Sequence, residues 1–394
     1  MDKPTVLLVA GSAELGSSES LLLDYLLSSG EKFFNPIIIF PAEGPLTALF
    51  SQSGLETLII PGKDYLTDFH QLWKQPLAWI YNLSSFVKMR RVIRSRRVRL
   101  VISLSFINWT GALSARQEGI PHIWMIREDL SAPKSYLKFF WGEWLASRLA
   151  NDLSVKILLE SSRVAKMFSR KRTRDKAEVL PPAIDADRFL GRLNESSSAI
   201  LSLERNLAVF INDFDKKRIE LIIKSVLQAL KNDSKKEKAL TKLFISFPGI
   251  EKNRIKQLGD NLEFMAAEAH LNSEIFLMDF SDFYFQPNIW KKFMAAVIIP
   301  GFDPLSRLVL EAGLAAVPLV IEDGAASELI IPEQTSLVFS SGNFQELTTK
   351  LRLLLTDENY CRLLGLAARR HLTQSHSLKD WAARWEKIIR DFIF

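Results

Sequence analysis

The stretch PGFDPLSRLVLEAGLAAVPLVI (residues 300–321) sets an acidic residue before a proline, continues in an apolar helical rhythm and ends in an apolar run. Asp303 followed by Pro304 reads as a helix opening, with Asp at the N-cap and Pro at the first helical position. Glu311 lies further along the same helical pattern, and VPLVIED (317–323) reads as a buried strand. Amide groups left free at such a helix start face whatever anion sits there.

The same step recurs on both sides. TVLLVAG (5–11), NPIIIFP (35–41), ETLIIPG (56–62), RLVISLS (99–105), HIWMIRE (122–128) and KILLESS (156–162) read as buried parallel strands. Helical patterns fill the gaps, among them ESLLLDYLLSSG (19–30), with Gly30 expected at its C-terminal cap. A second cycle follows EVLPPAIDADRF (178–189). Its strands are LAVFIND (207–213), LFISFPG (243–249), EIFLMDF (274–280), AAVIIPG (295–301), VPLVIED and TSLVFSS (335–341), with helices around 216–231, 305–316, 343–355 and 358–371. The alternation predicts an α/β protein with two doubly wound, Rossmann-like domains, and a ligand cleft between them. The expected division is 1–190, 191–375 and a last helix over 376–394.

At 394 residues the chain exceeds what one core serves, and 47% hydrophobic content suffices for two. One cysteine, Cys361, excludes a disulfide framework and a cysteine-rich zinc site. The first apolar run is too short for a signal peptide, and no run approaches the ~20 residues of a membrane span; a cytoplasmic protein is expected. Residues 1–190 hold 25 Lys/Arg against 19 Asp/Glu and the remainder 26 against 26, so the whole excess of +6 lies in the first half. KMRRVIRSRRVR (88–99) and SRKRTRDK (169–176) concentrate it, as phosphate-bearing surfaces would attract.

Four segments carry a family resemblance. VAGSAELGSSESLLLDYL (9–26), KAEVLPPAIDADRF (176–189), DPLSRLVLEAGLAAVPLVIEDGAASELI (303–330) and HSLKDWAARWEKIIRDFIF (376–394) resemble the motifs of GT-B glycosyltransferases of the large retaining family 4. The resemblance implies transfer of a sugar from a nucleotide-sugar, with retention of configuration, to a glycan or lipid-linked acceptor. It implies no metal and no cofactor beyond the donor. The last helix would cross back to the first domain.

By the same resemblance the family's Glu-x7-Glu motif falls on Asp303 and Glu311. Asp303 would face the donor sugar, Glu311 would bind the ribose hydroxyls, and Leu305, Ser306 and Arg307 at the helix start would line the nucleotide. FINDFDKKRIELI (210–222) matches a segment whose Arg and Lys neutralise the diphosphate. Lys217 matches the Lys, while Asn212 stands at the Arg position, with Lys216 and Arg218 nearby as substitute charges. Ile211, Ser306, Ala316, Ala325 and Ser336 replace glycines of the motif. The local chemistry admits plainer readings: Asp303 as a mere cap, Glu311 solvated, and 216–218 an ordinary basic turn.

In the first domain Gly11 and Gly16, with Ser12, Ser17 and Ser18, form a small-residue loop. Gly16, Ser17, Arg127 and Glu128 are the acceptor-side candidates, with a salt-bridged turn as the alternative for REDL (127–130). His122 reads as structural. Aromatics in SYLKFFWGEWLASRLA (135–150) beside the basic segment 88–99 suit an anionic membrane surface, or a core helix; they are not interleaved as a nucleic-acid platform. A glycosyltransferase-like protein that binds a glycan or partner without transfer is the alternative function, and a membrane-surface scaffold a third reading.

Overall fold

The computed structural model describes residues 3–15, 17–28, 32–63, 75–128, 142–168, 175–195, 206–213, 215–231, 242–248, 275–279, 283, 286–301, 305–324 and 326–394; at 17, 18, 75–79, 143, 194, 195 and 231 only the backbone is described. The chain divides into two units, Met1–Ala183 with Leu378–Phe394, and Ile184–Ser377.

The first unit is built on seven parallel strands: β1 (Thr5–Val9), β2 (Asn35–Phe40), β3 (Glu56–Ile59), β4 (Val98–Ser103), β5 (His122–Ile126), β6 (Lys156–Leu159) and β7 (Ala177–Val179). Their order is β3-β2-β1-β4-β5-β6-β7. β7 is an addition to the sequence reading, formed by residues at the head of the expected interdomain segment. The sheet is buried on both faces. Val6, Leu8, Ile38, Leu100 and Ile102 join one core cluster, and Leu7, Val9, Ile37, Ile39 and Val101 another, as the two-residue strand period requires. Helices α1 (Ser17–Leu27), α2 (Pro45–Gln52), α3 (Gln75–Ser95), α4 (Thr110–Glu118), α5 (Glu143–Leu153) and the single turn α6 (Ser162–Ala165) fill the crossovers.

In the second unit α7 (Ala186–Glu195) precedes six parallel strands: β8 (Asn206–Ile211), β9 (Leu243–Ser246), β10 (Ile275–Leu277), β11 (Phe293–Ile299), β12 (Leu319–Glu322) and β13 (Leu337–Phe339). Their order is β10-β9-β8-β11-β12-β13, so succession reverses between β8 and β11 as it does between β1 and β4. Helices α8 (Lys216–Lys231), α9 (Ser306–Leu314), α10 (Phe344–Thr356) and α11 (Glu358–Ser375) cover the sheet. Leu207, Val209, Val297 and Ile299 pack with α8 and α10, while Ala208, Phe210, Ala296 and Ile298 pack with α9. The last helix, α12 (Leu378–Ile393), buries Trp381, Trp385 and Ile389 in the first unit's core.

The opening of α9 departs from expectation. The helix begins at Ser306 rather than Pro304, and its N-cap is Leu305 in the left-handed region (φ 55°), not Asp303. Asp303, Pro304, Gly16, Gly30 and Ala325 lie outside the described residues, as do Tyr136, Phe139, Phe140 and Trp141 of the aromatic segment. Of that segment Trp144, in α5, is half exposed.

Candidate functional site

In open α/β sheets ligands gather outside the carboxyl ends of strands where the order reverses. In the second unit that place is the β8–β11 junction. β8 ends at Ile211, and Asn212 follows, fully buried. Its backbone N–H donates to the Ile299 carbonyl (3.0 Å), and its side-chain Nδ2 to the carbonyl of Pro248 (2.7 Å). Gly301, just past β11, lies so close that a Cβ there would stand 1.7 Å from the Asn212 carbonyl oxygen. Only glycine permits that approach of backbone to backbone. Asn212 thus ties three strand-end loops together by neutral hydrogen bonds, at the position where the family motif has an always-charged arginine.

Lys217 is exposed in the first turn of α8, and its backbone N–H is held by the Asp215 carboxylate (3.0 Å). Arg218, the next residue, is buried. Its guanidinium donates to Asp213 through Nη1 and to Glu322 at the end of β12 through Nη2. Glu322 in turn accepts from the backbone N–H of Gly342 beyond β13 (3.1 Å). Two carboxylates already surround this cation, so the expectation that Arg218 supplies charge to a diphosphate is corrected: its charge is committed inside the protein. Lys216 and Lys217, both facing solvent, are the cations presented at this helix start. The sequence held a partial signal, in that Glu322 and Asp213 are charges at the ends of otherwise apolar strand runs, but nothing in it paired them with Arg218.

Glu311 is 2% exposed, which removes the solvated alternative. It accepts from Arg307 Nε (2.6 Å), one helical turn earlier, and from the indole Nε1 of Trp290 (3.3 Å). Trp290 belongs to an aromatic cluster with Phe210 and Phe283 (centroids 5.6 and 5.0 Å away). Burying a carboxylate here demands partners, and the (i, i+4) arginine and the tryptophan supply them. Ser306 and Leu305 are buried at the start of the same helix. The structure therefore joins Arg307 to Glu311, and Asn212 to the loop leading toward them. Trp290 was not among the sequence candidates; nothing in its local pattern distinguishes it from a core aromatic.

In the first unit Arg127 and Glu128 follow β5 and are both buried. Glu128 accepts from the Ser105 hydroxyl and from the backbone N–H of Phe106 (3.1 Å). Arg127 Nη1 faces Glu19 Oε2 at 3.5 Å, and Glu19 accepts from the backbone N–H of Gly11 (3.2 Å). Burial pushes the Glu19 carboxyl above the usual carboxylate range, against the pull of Arg127. The ends of β1, β4 and β5 are thereby joined through charge at the reversal of the first sheet. Glu19 escaped the sequence reading, although a glutamate heading an apolar helix was its signal. Ser17 is the first residue of α1. His122 is structural, as read: its ring lies between Ser103 Oγ (2.9 Å) and Ser154 Oγ (3.0 Å), and burial lowers its pKa to about 3. Among the described residues no group of His, Cys, Asp and Glu side chains could hold a metal ion, and no helix is long and apolar enough to cross a membrane.

No protein-family model matches the chain. Among curated proteins it is similar to the sulfoquinovosyl transferase SQD2 of Arabidopsis thaliana, 25% identical over 196 residues, a match covering 47% of this chain and 32% of that protein. The matched stretch is thus about a third of the relative's length. Among solved structures it superposes on Anabaena HepE in complex with UDP-glucose at a TM-score of 0.72, with 14% identity, covering 98% of this chain and 99% of the other. It superposes on sucrose-phosphate synthase of Thermosynechococcus elongatus at 0.62, with 12% identity and 98% of both chains covered. With two parallel sheets, each reversing its strand order once, and superpositions running over nearly the whole length, the chain has the GT-B glycosyltransferase fold.

Proposed function

We propose that the protein is a glycosyltransferase that moves a sugar from a nucleotide-sugar, with UDP-sugars the first donors to try, to a glycan or lipid-linked acceptor in surface polysaccharide or glycolipid synthesis. Retention of configuration follows the resemblance to family 4. The second unit holds the donor and the first presents the acceptor, through Gly16, Ser17, Arg127 and Glu128. Asp303 faces the sugar, Glu311 takes the ribose hydroxyls, and Lys217 with the amides at the start of α9 offsets the charge that grows on the departing diphosphate. The reaction needs no metal or further cofactor in this reading. The protein works at the inner face of a membrane, attached through its first unit.

One observation carries the donor assignment. Glu311 is a buried, partnered carboxylate on the helix that leaves the reversal point of the second sheet. Calorimetric titration with UDP, GDP and their sugars tests it. Wild type is expected to bind one nucleotide, and Lys217→Ala, an exposed substitution, to weaken it by about tenfold or more, as loss of a charge-assisted contact does. Glu311→Ala should abolish it in protein whose thermal unfolding is intact. Absence of binding by any nucleotide to folded wild type would sink the donor assignment. The non-transferring alternative would then lead, and one finding favours it already: with Asn212 neutral and Arg218 committed, the exposed cations of the matched segment are the two lysines Lys216 and Lys217, and no arginine fork is free among its described residues.

A further inference from the structure

Helix α3 packs its inner side through Met89 and Ile93 into the first unit's core and is tied by Asn82 and Ser85 to the backbone at residues 61–63. Its outer side is unusual. Ile80, Leu83 and Val87 are 70%, 61% and 47% exposed, and with Arg91 they recur at three- and four-residue steps along one stripe. Lone exposed aliphatics are ordinary on a protein surface. Three in a row on one helical stripe, leading directly into cations, are not accounted for by the fold.

The cations divide into two groups. Arg90 and Arg94 both hold Glu118 (2.5 and 2.6 Å), and Arg96 holds Glu56 (2.6 Å). Lys88 and Arg91 are exposed and, among the described residues, make no ion pair. The face therefore offers aliphatic side chains from Ile80 to Val87 and, immediately beyond on the same side of the helix, positive charge that no described acidic residue pairs.

We infer that the outer face of α3 is the surface by which the protein docks on an anionic bilayer. The aliphatic chains of Ile80, Leu83 and Val87 enter the headgroup boundary, while Lys88 and Arg91 meet lipid phosphates. A nucleic acid would match the cations and leave the aliphatics in water. A plain apolar partner would desolvate Lys88 and Arg91 without compensation. An anionic lipid surface satisfies both. The inference rests on the reading of the protein as membrane-attached, but not on donor binding or transfer.

The test is flotation of the full chain with vesicles of phosphatidylcholine, with and without phosphatidylglycerol. Wild type should float with the anionic vesicles and not with the neutral ones. The triple substitution Ile80→Ser, Leu83→Ser, Val87→Ser and the double substitution Lys88→Glu, Arg91→Glu should each weaken binding by at least about tenfold. Both sets lie on exposed positions and should leave thermal unfolding unchanged. If wild type binds anionic vesicles and the variants bind as tightly, α3 is not the docking face, while membrane attachment stands. If wild type fails to bind anionic vesicles, attachment and docking face fall together, whatever nucleotide binding shows.

Discussion

Arg218 and Glu322 stand 104 residues apart in sequence and share a buried ion pair, with Asp213 as the third member. Two carboxylates against one guanidinium make the triad an anchor for the loops after β8, β12 and β13 rather than a source of positive charge. Arg218→Met keeps much of the side-chain volume and removes the charge, leaving Asp213 and Glu322 uncompensated in the interior. Breaking such a buried network costs about 3–5 kcal/mol. The second unit should therefore unfold at markedly lower urea concentration, and nucleotide binding, if present in wild type, should weaken with it. Unchanged urea midpoints would show that the carboxylates find other partners.

The C-terminus of α9 shows how an element keeps its geometry while losing its usual residue. The N–H of Val317 bonds to the carbonyl of Ala312 and that of Ala316 to the carbonyl of Gly313, each at 2.9 Å, the pair of bonds that closes a helix in the Schellman arrangement. Ala316 occupies the left-handed position (φ 59°) where glycine is usual and where the resembled motif has one. Its carbonyl lies against Gly365 of α11, where a Cβ would approach to 2.1 Å. The turn is thus fixed by packing between α9 and α11, at a steric cost of about 1–2 kcal/mol for a Cβ at that φ. Ala316→Gly should relieve that cost and raise the thermal midpoint of the second unit by a few degrees, partly offset by the entropy of glycine in the unfolded chain. A lowered midpoint in calorimetry would show that the methyl group contributes more through packing than it costs in strain.

At the scale of the whole molecule, the chain leaves the first unit at Ala183 and returns to it at Leu378. α12 contributes Leu378, Trp381, Trp385, Ile388, Ile389 and Ile393 to the first core, with Trp381 and Trp385 stacked at 5.2 Å and Glu386 accepting from the Tyr25 hydroxyl (2.9 Å). Burying six such side chains is worth on the order of 10 kcal/mol, comparable to the full stability of a domain. A chain ending at Ser377 should therefore lose amide-exchange protection across β1–β7 while β8–β13 stay protected. Equal protection of both sheets in that truncation would overturn the account.

The strand and helix succession was legible in the sequence because each element is set by short-range periodicity, and runs such as TVLLVAG and LAVFIND carry the mark of strands buried on both faces. The pairing of α9 with the strand after it was equally legible, down to the helix that holds Glu311. The opening of α9 was not. Asp-Pro promised a cap at 303, yet the helix starts at Ser306 behind a left-handed Leu305, because local propensity is a weak preference that packing overrides. Nor could the sequence say which charges are committed. Arg218, Glu311, Arg127 and Glu128 look like surface groups in one dimension and are buried in three. Burial and ion pairing depend on residues brought together from distant strands, and that assembly belongs to the tertiary structure alone.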